Sequence, residues 1–369
     1  MGIHYLLLSL LLLLGASSFE APQTTAYQKI FVHRGPGHTF HDVASLNPGL
    51  PVNIIERNRV GNWVRVTRTT EDNTVVLDGW VMTGYLNYDG NFALSAIPVN
   101  EAVADAEPAN AQYQSTADLY AVPVISQVSR AMEGVYRYGQ ALGRHSNVVT
   151  KVGDSVSANS LYLNPMNRSD YDLGPYDFLE DTIRFFGPSV ATNSVASRIG
   201  MTTYVIFDPL WADKERCEPG ETPLACEYRL NQPSIAMVMF GPNDVRHMTD
   251  AEFAEQMRQI VEISIEQGVI PVLSTFSVHP DDTLWWQSIN FNLRLSEIAA
   301  EYEVPLINLW AAARVLPEYG LDEDDIHMAN SGFPNLKFST GHDAYYGTSL
   351  QNLLSIRMLD EIRRTLDLG

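Results

Sequence analysis

The chain has 369 residues, a formal net charge of −20 at pH 7 and 45% hydrophobic residues. That length suffices for two domains with a sizeable core in at least one of them, and the composition has no collagen-like or coiled-coil bias. The charge argues against a nucleic-acid partner, because phosphate contacts need lysine and arginine.

The chain opens with MGIHYLLLSLLLLLGASS, largely apolar from Tyr5 to Leu14 and then small. Such a run has the length of a signal-peptide core and is too short to span a bilayer. Residues 1–18 are therefore read as a secretory signal cleaved near Ala16 to Ser18, with a retained membrane anchor as the competing reading. The expected location is secreted or extracytoplasmic, in association with the cell envelope.

Residues 28–88 read as a small all-β unit. IFV, PVNIIER, NWVRVTR and VVLDGWVM alternate or run apolar, and RGPG, NPG, VGN and TEDN separate them as turns. A unit of this size is expected to close as a little barrel. The stretch VHRGPGHTFHDVASLNPGLPVNIIE, followed by GNWVRV and DGWV, resembles the bacterial Src-homology-3-type domain. That resemblance implies an SH3-like β-barrel with a cell-wall peptide or glycan as ligand. Trp63 and Trp80 are then ligand-facing or plain core. His33, His38 and His41 lie in a Gly-Pro loop without carboxylate support, so a solvated loop is expected there and no metal.

Residues 89–118 hold five acidic and no basic residues, are rich in Ala, Asn and Pro, and keep no period. They read as a linker. From residue 119 to 369 the pattern turns α/β. Five short apolar runs, NVVTKV, TTYVIFD, SIAMVMF, VIPVLSTF and VPLINLW, are predicted as buried strands. Helices are predicted over VISQVSRAMEGVYRYGQAL, DAEFAEQMRQIVEISIEQG, SINFNLRLSEIAAEYE and TSLQNLLSIRMLDEIRRTL. Buried runs alternating with helices indicate a parallel sheet with crossovers. Between them, Cys217 and Cys226 sit in CEPGETPLAC. In an oxidising compartment a local bridge is expected, since two thiols with no nearby histidine do not make a zinc site.

Ligands of open α/β sheets bind at the carboxyl ends of the strands, so the residues closing each run matter most. Gly153-Asp154-Ser155 ends the first and Gly241-Pro242-Asn243-Asp244 the third. Asp324-Asp325-Ile326-His327 follows the last, and Gly200 precedes the second. A serine hydroxyl becomes a useful nucleophile only when a base takes its proton. Asp154 is adjacent and points apart, so the base is expected to be a histidine oriented by a carboxylate. Asp324 and His327, three apart, can fold together in one turn. His342, His279, His247 and His145 are the rival bases. The cluster Asp322 to Asp325 lacks the alternation and distal glutamate of a calcium loop. The backbone N–H groups of Ser155 and Gly200 and the amide of Asn243 can form an oxyanion hole, although Asn243 and Asp244 also suit a helix cap.

These four blocks together resemble the SGNH, or GDSL-type, hydrolases. VGDSVSAN matches the first block, SRIGMTT the second, FGPNDV the third and DDIH the last. The second block lacks its usual asparagine and first glycine, Val156 replaces a leucine, and the segment from Met328 to Gly347 is long. The resemblance covers about residues 145–369. It implies a three-layer, flavodoxin-like domain with Ser155 as nucleophile, His327 as base, Asp324 as its orienting carboxylate, and no metal or organic cofactor. The implied activity is hydrolysis of carboxylic esters, with acyl (acetyl) groups on envelope glycans as the expected substrate. The rivals are an acyltransferase using the same serine on a sugar acceptor, and a catalytically silent wall-binding protein.

Overall fold

The computed structural model describes residues 19–37, 40–70, 72–87, 93–103, 116–191, 193–332 and 335–369. The expected signal, His38 and much of the expected linker lie outside them. Two hydrophobic cores form within the described residues, one in each half of the chain, and two smaller apolar clusters lie beside them.

The first half is a six-stranded antiparallel sheet. Its strands are β1 (Gln23–Thr24), β2 (Ile30–His33), β3 (Asp42–Leu46), β4 (Val52–Arg57), β5 (Trp63–Thr69) and β6 (Val75–Met82), in the spatial order β1-β4-β5-β6-β2-β3. Four coincide with predicted runs. β3 escapes the pattern because it is an edge strand on which only Leu46 is fully buried, so no alternation of apolar residues marks it. Trp63 and Trp80 are both buried. His33 is not in a solvated loop. It is buried, its ring meets Trp63 edge-on at 5.4 Å, and its Nδ1 lies 3.1 Å from the Asp42 carboxylate.

Part of the stretch read as linker belongs to this unit. The backbone N–H of Arg57 bonds to the carbonyl of Pro98 at 2.9 Å and that of Asn100 to the carbonyl of Arg57 at 2.8 Å. Ile97 is 2% exposed within the β core. Polar composition hid a few scattered apolar anchors: besides Ile97, Leu94 packs against the same core and Val103 against the cluster around Trp63 and Trp80.

The second half contains α1 (Ala117–Ala121), α2 (Ala131–Ala141), β7 (His145–Gly153), α3 (Ser155–Ala158), α4 (Glu180–Phe186), α5 (Pro223–Asn231), β8 (Pro233–Met239), α6 (Asp250–Glu266), β9 (Ile270–Ser274), α7 (Trp285–Glu301), β10 (Leu306–Ile307), α8 (Leu309–Ala313) and α9 (Gly347–Thr365). The four strands form a parallel sheet in the order β10-β9-β8-β7. β8 and β9 are buried at every residue, as expected of strands covered on both faces. α6 opens with a reciprocal Thr249–Glu252 capping box.

Two predictions fail here. TTYVIFD is not a strand: Val205–Phe207 is a single 3-10 turn, Ile206 is buried, and Tyr204 faces solvent. The reason lies in the preceding residue, Thr203, whose N–H and hydroxyl both bond to the buried Asp244 carboxylate at 2.7 Å. That pull diverts the backbone from a ladder. A fifth strand survives only as one parallel bridge, Gly153 to Ser197. The helix predicted from residue 124 starts at Ala131. Residues 124–126 instead lie along the open edge of β10, where Ser126 N–H bonds to Leu306 O at 3.0 Å and Asn308 N–H to Val124 O at 2.8 Å. An unpaired sheet edge outcompetes helix propensity there.

Truncating Ile97 to alanine should lower stability by about 2–4 kcal/mol, read from urea unfolding of the whole chain. An unchanged midpoint would mean that residues 93–103 do not contribute to the β core.

Candidate active site

β7 ends at Gly153, where an added Cβ would lie 2.3 Å from Met239 O and 2.4 Å from Ser157 Oγ, so only glycine fits. The next residue, Asp154, caps the short helix α3 by accepting the Val156 N–H at 2.9 Å. Ser155 is thereby the first residue past the cap and is partly exposed above the carboxyl end of the sheet.

His327 comes to it from 172 positions away, with Nε2 at 2.8 Å from Ser155 Oγ. Its Nδ1 lies 2.5 Å from Asp324 Oδ2. The other carboxylate oxygen of Asp324 accepts the N–H of Ile326 at 3.0 Å and of His327 at 2.9 Å. Desolvation alone would raise the Asp324 pKa. The ring hydrogen bond and these two N–H groups outweigh it and hold the carboxyl near 2. Asp324 is therefore an anion across the physiological range, its charge set against the ring nitrogen remote from Ser155. The loop carrying this pair is closed at its base by a Leu321–Met328 bridge and by Asp322 N–H to His327 O at 2.8 Å.

The rival histidines sit elsewhere. His279 faces Glu318 at 3.4 Å, His342 lies edge-on to Tyr346 at 5.3 Å, and His145 and His247 are exposed. Asp322 accepts the N–H of Glu323 at 2.9 Å, so the acidic cluster is a turn stitched by its own backbone.

Gly200 adopts a left-handed φ of 76°, and a Cβ there would meet nothing within 4 Å. Backbone conformation, not space, requires glycine. It sits three residues past Ser197, which bridges Gly153. Asn243 reaches the same segment, its Nδ2 donating to Met201 O at 3.4 Å. The first, second and third blocks are thus drawn together, while the long segment after Met328 pairs with residues on another loop: Phe338 N–H bonds to Asp172 O and Asp172 N–H to Leu336 O, both at 2.8 Å.

Three buried carboxylates, none assigned this part from sequence, hold the loops. Asp244 ties Thr203 to Gly241, whose N–H reaches its Oδ2 at 3.2 Å. Burial raises its pKa against these bonds. Glu227 on α5 accepts the Val195 N–H at 2.7 Å, two residues before Ser197, and is held by Asn231 at 2.6 Å and by Thr150. Asp154 is fully buried. Desolvation pushes its carboxyl up to about 7, the Val156 bond opposes this, and the Asp244 charge adds to it. Its Oδ2 has no partner among the described residues. The only trace in the sequence was the identity of these residues, since burial is a property of the tertiary fold.

Cys217 and Cys226 are bonded to each other. Cys226 precedes Glu227 on α5, so the bridge closes the loop just ahead of the carboxylate that holds Val195. The two sulfurs cluster with Glu221, but that carboxylate is taken by Arg229 at 2.8 Å.

No protein-family model and no curated protein sequence matches the chain. Among solved structures it is similar to an acetylxylan esterase from Geobacillus stearothermophilus, at 13% identity over 61% of this chain and 96% of that one, with a TM-score of 0.38. It is similar also to a GDSL-like lipase from Bacteroides thetaiotaomicron, at 12% identity over 63% and 99%, with a TM-score of 0.37. A third is a psychrotrophic esterase from Pseudoalteromonas, at 15% identity over 60% and 100%, with a TM-score of 0.35. Likeness at that level does not say what this chain acts on.

Replacing both cysteines by serine should lower stability by about 2–3 kcal/mol, from the loop-closure entropy of a short loop. Denaturant midpoints with and without the bridge check this, and equal midpoints would refute it. Asp154 gives a second test. The unfolded chain releases this proton near its ordinary 3.8, whereas the folded chain holds it to about 7. The folded state therefore binds more protons between those values, and stability falls as pH rises through that window. Asp154→Asn keeps the oxygen that caps Val156 and should flatten the slope by about one proton. Thermal unfolding at pH 4, 5, 6 and 7 reads it; an unchanged slope contradicts a buried neutral Asp154.

Proposed function

We propose that the chain is a serine hydrolase acting on carboxylic esters through an acyl-enzyme on Ser155. The observation that carries this reading is the continuous hydrogen-bonded line from Ser155 Oγ through His327 to Asp324, at 2.8 and 2.5 Å. In that line His327 Nε2 takes the hydroxyl proton as Oγ attacks the ester carbonyl carbon, and the carbonyl π electrons move to oxygen. The Ser155 N–H, the Gly200 N–H and the Asn243 amide are assigned to that oxyanion. As the tetrahedral adduct collapses, the imidazolium gives its proton to the leaving alkoxide. Water, deprotonated by the same nitrogen, then releases the carboxylic acid and restores the serine. Asp324 keeps the Nδ1 proton in place, so that Nε2 presents its lone pair to the serine.

The substrate we favour is an O-acyl, in particular O-acetyl, group carried by a glycan of the cell envelope, met outside the cytoplasm. Two features favour a pendant ester on a large alcohol. The His327 and Asp324 side chains are 41% and 50% exposed, so the site is open to a bulky group. The segment around Gly200 also presents Ile199, Tyr204 and Leu210 at 66–80% exposure, and an exposed ring of this kind packs against a sugar face. In this reading the amino-terminal β unit is the wall-binding module.

Ser155→Ala should lower kcat on a short-chain aryl ester by at least about a thousandfold and abolish labelling by a serine-reactive phosphonate. Asp324→Asn should lower kcat by about a hundredfold or more. A panel of acetyl, butyryl and long-chain esters, with and without an added sugar alcohol, reads acyl preference and the fate of the acyl group. Undiminished turnover by Ser155→Ala would end the proposal, and transfer to the added alcohol in preference to water would make the protein a transferase.

A further inference from the structure

The catalytic loop grows out of an improbable piece of backbone. Glu318, Tyr319 and Gly320 have φ values of 45°, 56° and 75°, three left-handed residues in a row, two of them not glycine. L-residues visit this region singly, and such conformations persist only where the surroundings over-determine them. On one side the hydrolase unit supplies restraint: Ser277 Oγ donates to Tyr319 O at 2.7 Å, and the Arg314 guanidinium lies 4.4 Å from the Tyr319 ring centroid. On the other side the restraint comes from the β unit. Tyr319 is 2% exposed in a cluster with Trp63, Trp80 and Met82. The Tyr85 hydroxyl donates to the Glu318 carboxylate. Gly84 sits flush on the chain before them, so that an added Cβ would lie 2.4 Å from Pro317 N and 2.6 Å from the Leu316 carbonyl carbon.

From this clamp to the catalytic groups the path is short. The Gly320 carbonyl accepts the Ala329 N–H at 2.9 Å, Leu321 bridges Met328, and Asp322 N–H bonds to His327 O. Residues 320–322 are one leg of the loop whose tip carries Asp324 and whose other leg carries His327. That second leg is fastened to α9, where Thr348 N–H bonds to Ala329 O at 2.9 Å and its hydroxyl to Met328 O at 3.1 Å. Among the described contacts it is the first leg that meets the β unit directly; the second reaches it at one remove, through Tyr345 ahead of α9, whose ring lies edge-on to Tyr27 at 5.2 Å.

We propose that the amino-terminal β unit, besides any ligand it carries, is part of the catalytic apparatus: by clamping Leu316–Gly320 it positions Asp324 and His327 against Ser155, with Gly84 and Tyr85 as positioning residues. This rests on the esterase reading of Ser155. Without the clamp the first leg relaxes out of its left-handed run while the second stays fixed to α9, and the imidazole moves off the hydroxyl.

Gly84→Ala is the sharpest probe, because Gly84 does not have a left-handed φ and alanine disturbs only the seam. Tyr85→Phe removes one hydroxyl and carries the test if the alanine variant folds poorly. Gly134→Ala in α2, where a Cβ meets nothing, is the control. Active sites are titrated with a serine-reactive phosphonate in the full chain, kcat and KM are taken per titrated site, and amide hydrogen exchange is followed over residues 318–329. Gly84→Ala should lower kcat per site by about tenfold to a hundredfold with KM changed less than about twofold, and speed exchange across the loop. Tyr85→Phe should do the same more weakly, and Gly134→Ala should do neither. Unchanged kcat per site and unchanged exchange in both seam variants would overturn the proposal. So would a loss confined to the number of titratable sites, which is what mere misfolding gives. A wild-type protein that neither hydrolyses esters nor takes the label would sink the esterase reading instead, and the exchange data would still decide the clamp.

Discussion

The chemistry proposed for this chain depends on one contact, the hydrogen bond between the His327 ring and the Ser155 hydroxyl across 172 residues. Neither partner is held by its immediate neighbours alone. Ser155 is fixed because the last five residues of β7, the edge strand of the sheet, are buried along their pairing with β8, and because Gly153 lets the chain turn against Met239 without a side chain in the way. His327 is fixed because Asp324 grips both its ring and its backbone N–H. A contact of 2.8 Å between two such anchors demands that the intervening structure be stiff to a few tenths of an ångström.

That stiffness is bought largely with buried acids. Asp244 and Glu227 each take backbone N–H groups from the loop that runs from Val195 to Thr203, so this loop needs no strand ladder to stay in place. A carboxylate has two oxygens and can accept three or four donors at once, where a hydroxyl or an amide oxygen is limited to about two. The cost is desolvation, visible in the raised pKa values of Asp154 and Asp244. Apolar packing would stabilise as well but would not specify the path of an irregular loop. The distribution fits a general division: sheet and helices supply stability, and polar networks specify the loops.

How much of this could be read from residues alone follows the same division. Ser155, Asn243, Asp324 and His327 were legible because each closes or follows an apolar run whose burial the sequence announces, and in a parallel sheet those ends share one edge. The strands β4, β5 and β6 and the long helices were legible by period. Gly200 was the weakest of the blocks, and its segment is the one the structure holds by side-chain bonds instead of a ladder. TTYVIFD had the composition of a strand and was misread for that reason: Thr203 is claimed by a carboxylate 41 residues away. β3 was invisible because an exposed edge needs no apolar alternation. Ile97 was invisible because anchors as sparse as Leu94, Ile97 and Val103 set no period in a polar segment.

The seam between the two halves is the least legible feature, and physically the most constrained. Nothing in PEYG suggests three left-handed residues. The run exists because Tyr319 completes an aromatic cluster that neither half fills alone, two tryptophans and a methionine coming from one side and the Arg314 cation from the other. Burying such a ring is worth about 3 kcal/mol, of the same order as two left-handed residues at about 1–2 kcal/mol each. The balance is close, so the strained geometry is held by the assembled pair of units more than by either one. A loop poised on that balance responds to small changes at the seam, whereas the Ser155 turn, anchored through Gly153 and Asp154 at the end of β7, does not touch it. On the proposed reading the nucleophile, Ser155, belongs to one unit, and the placement of its base, His327, is shared between two.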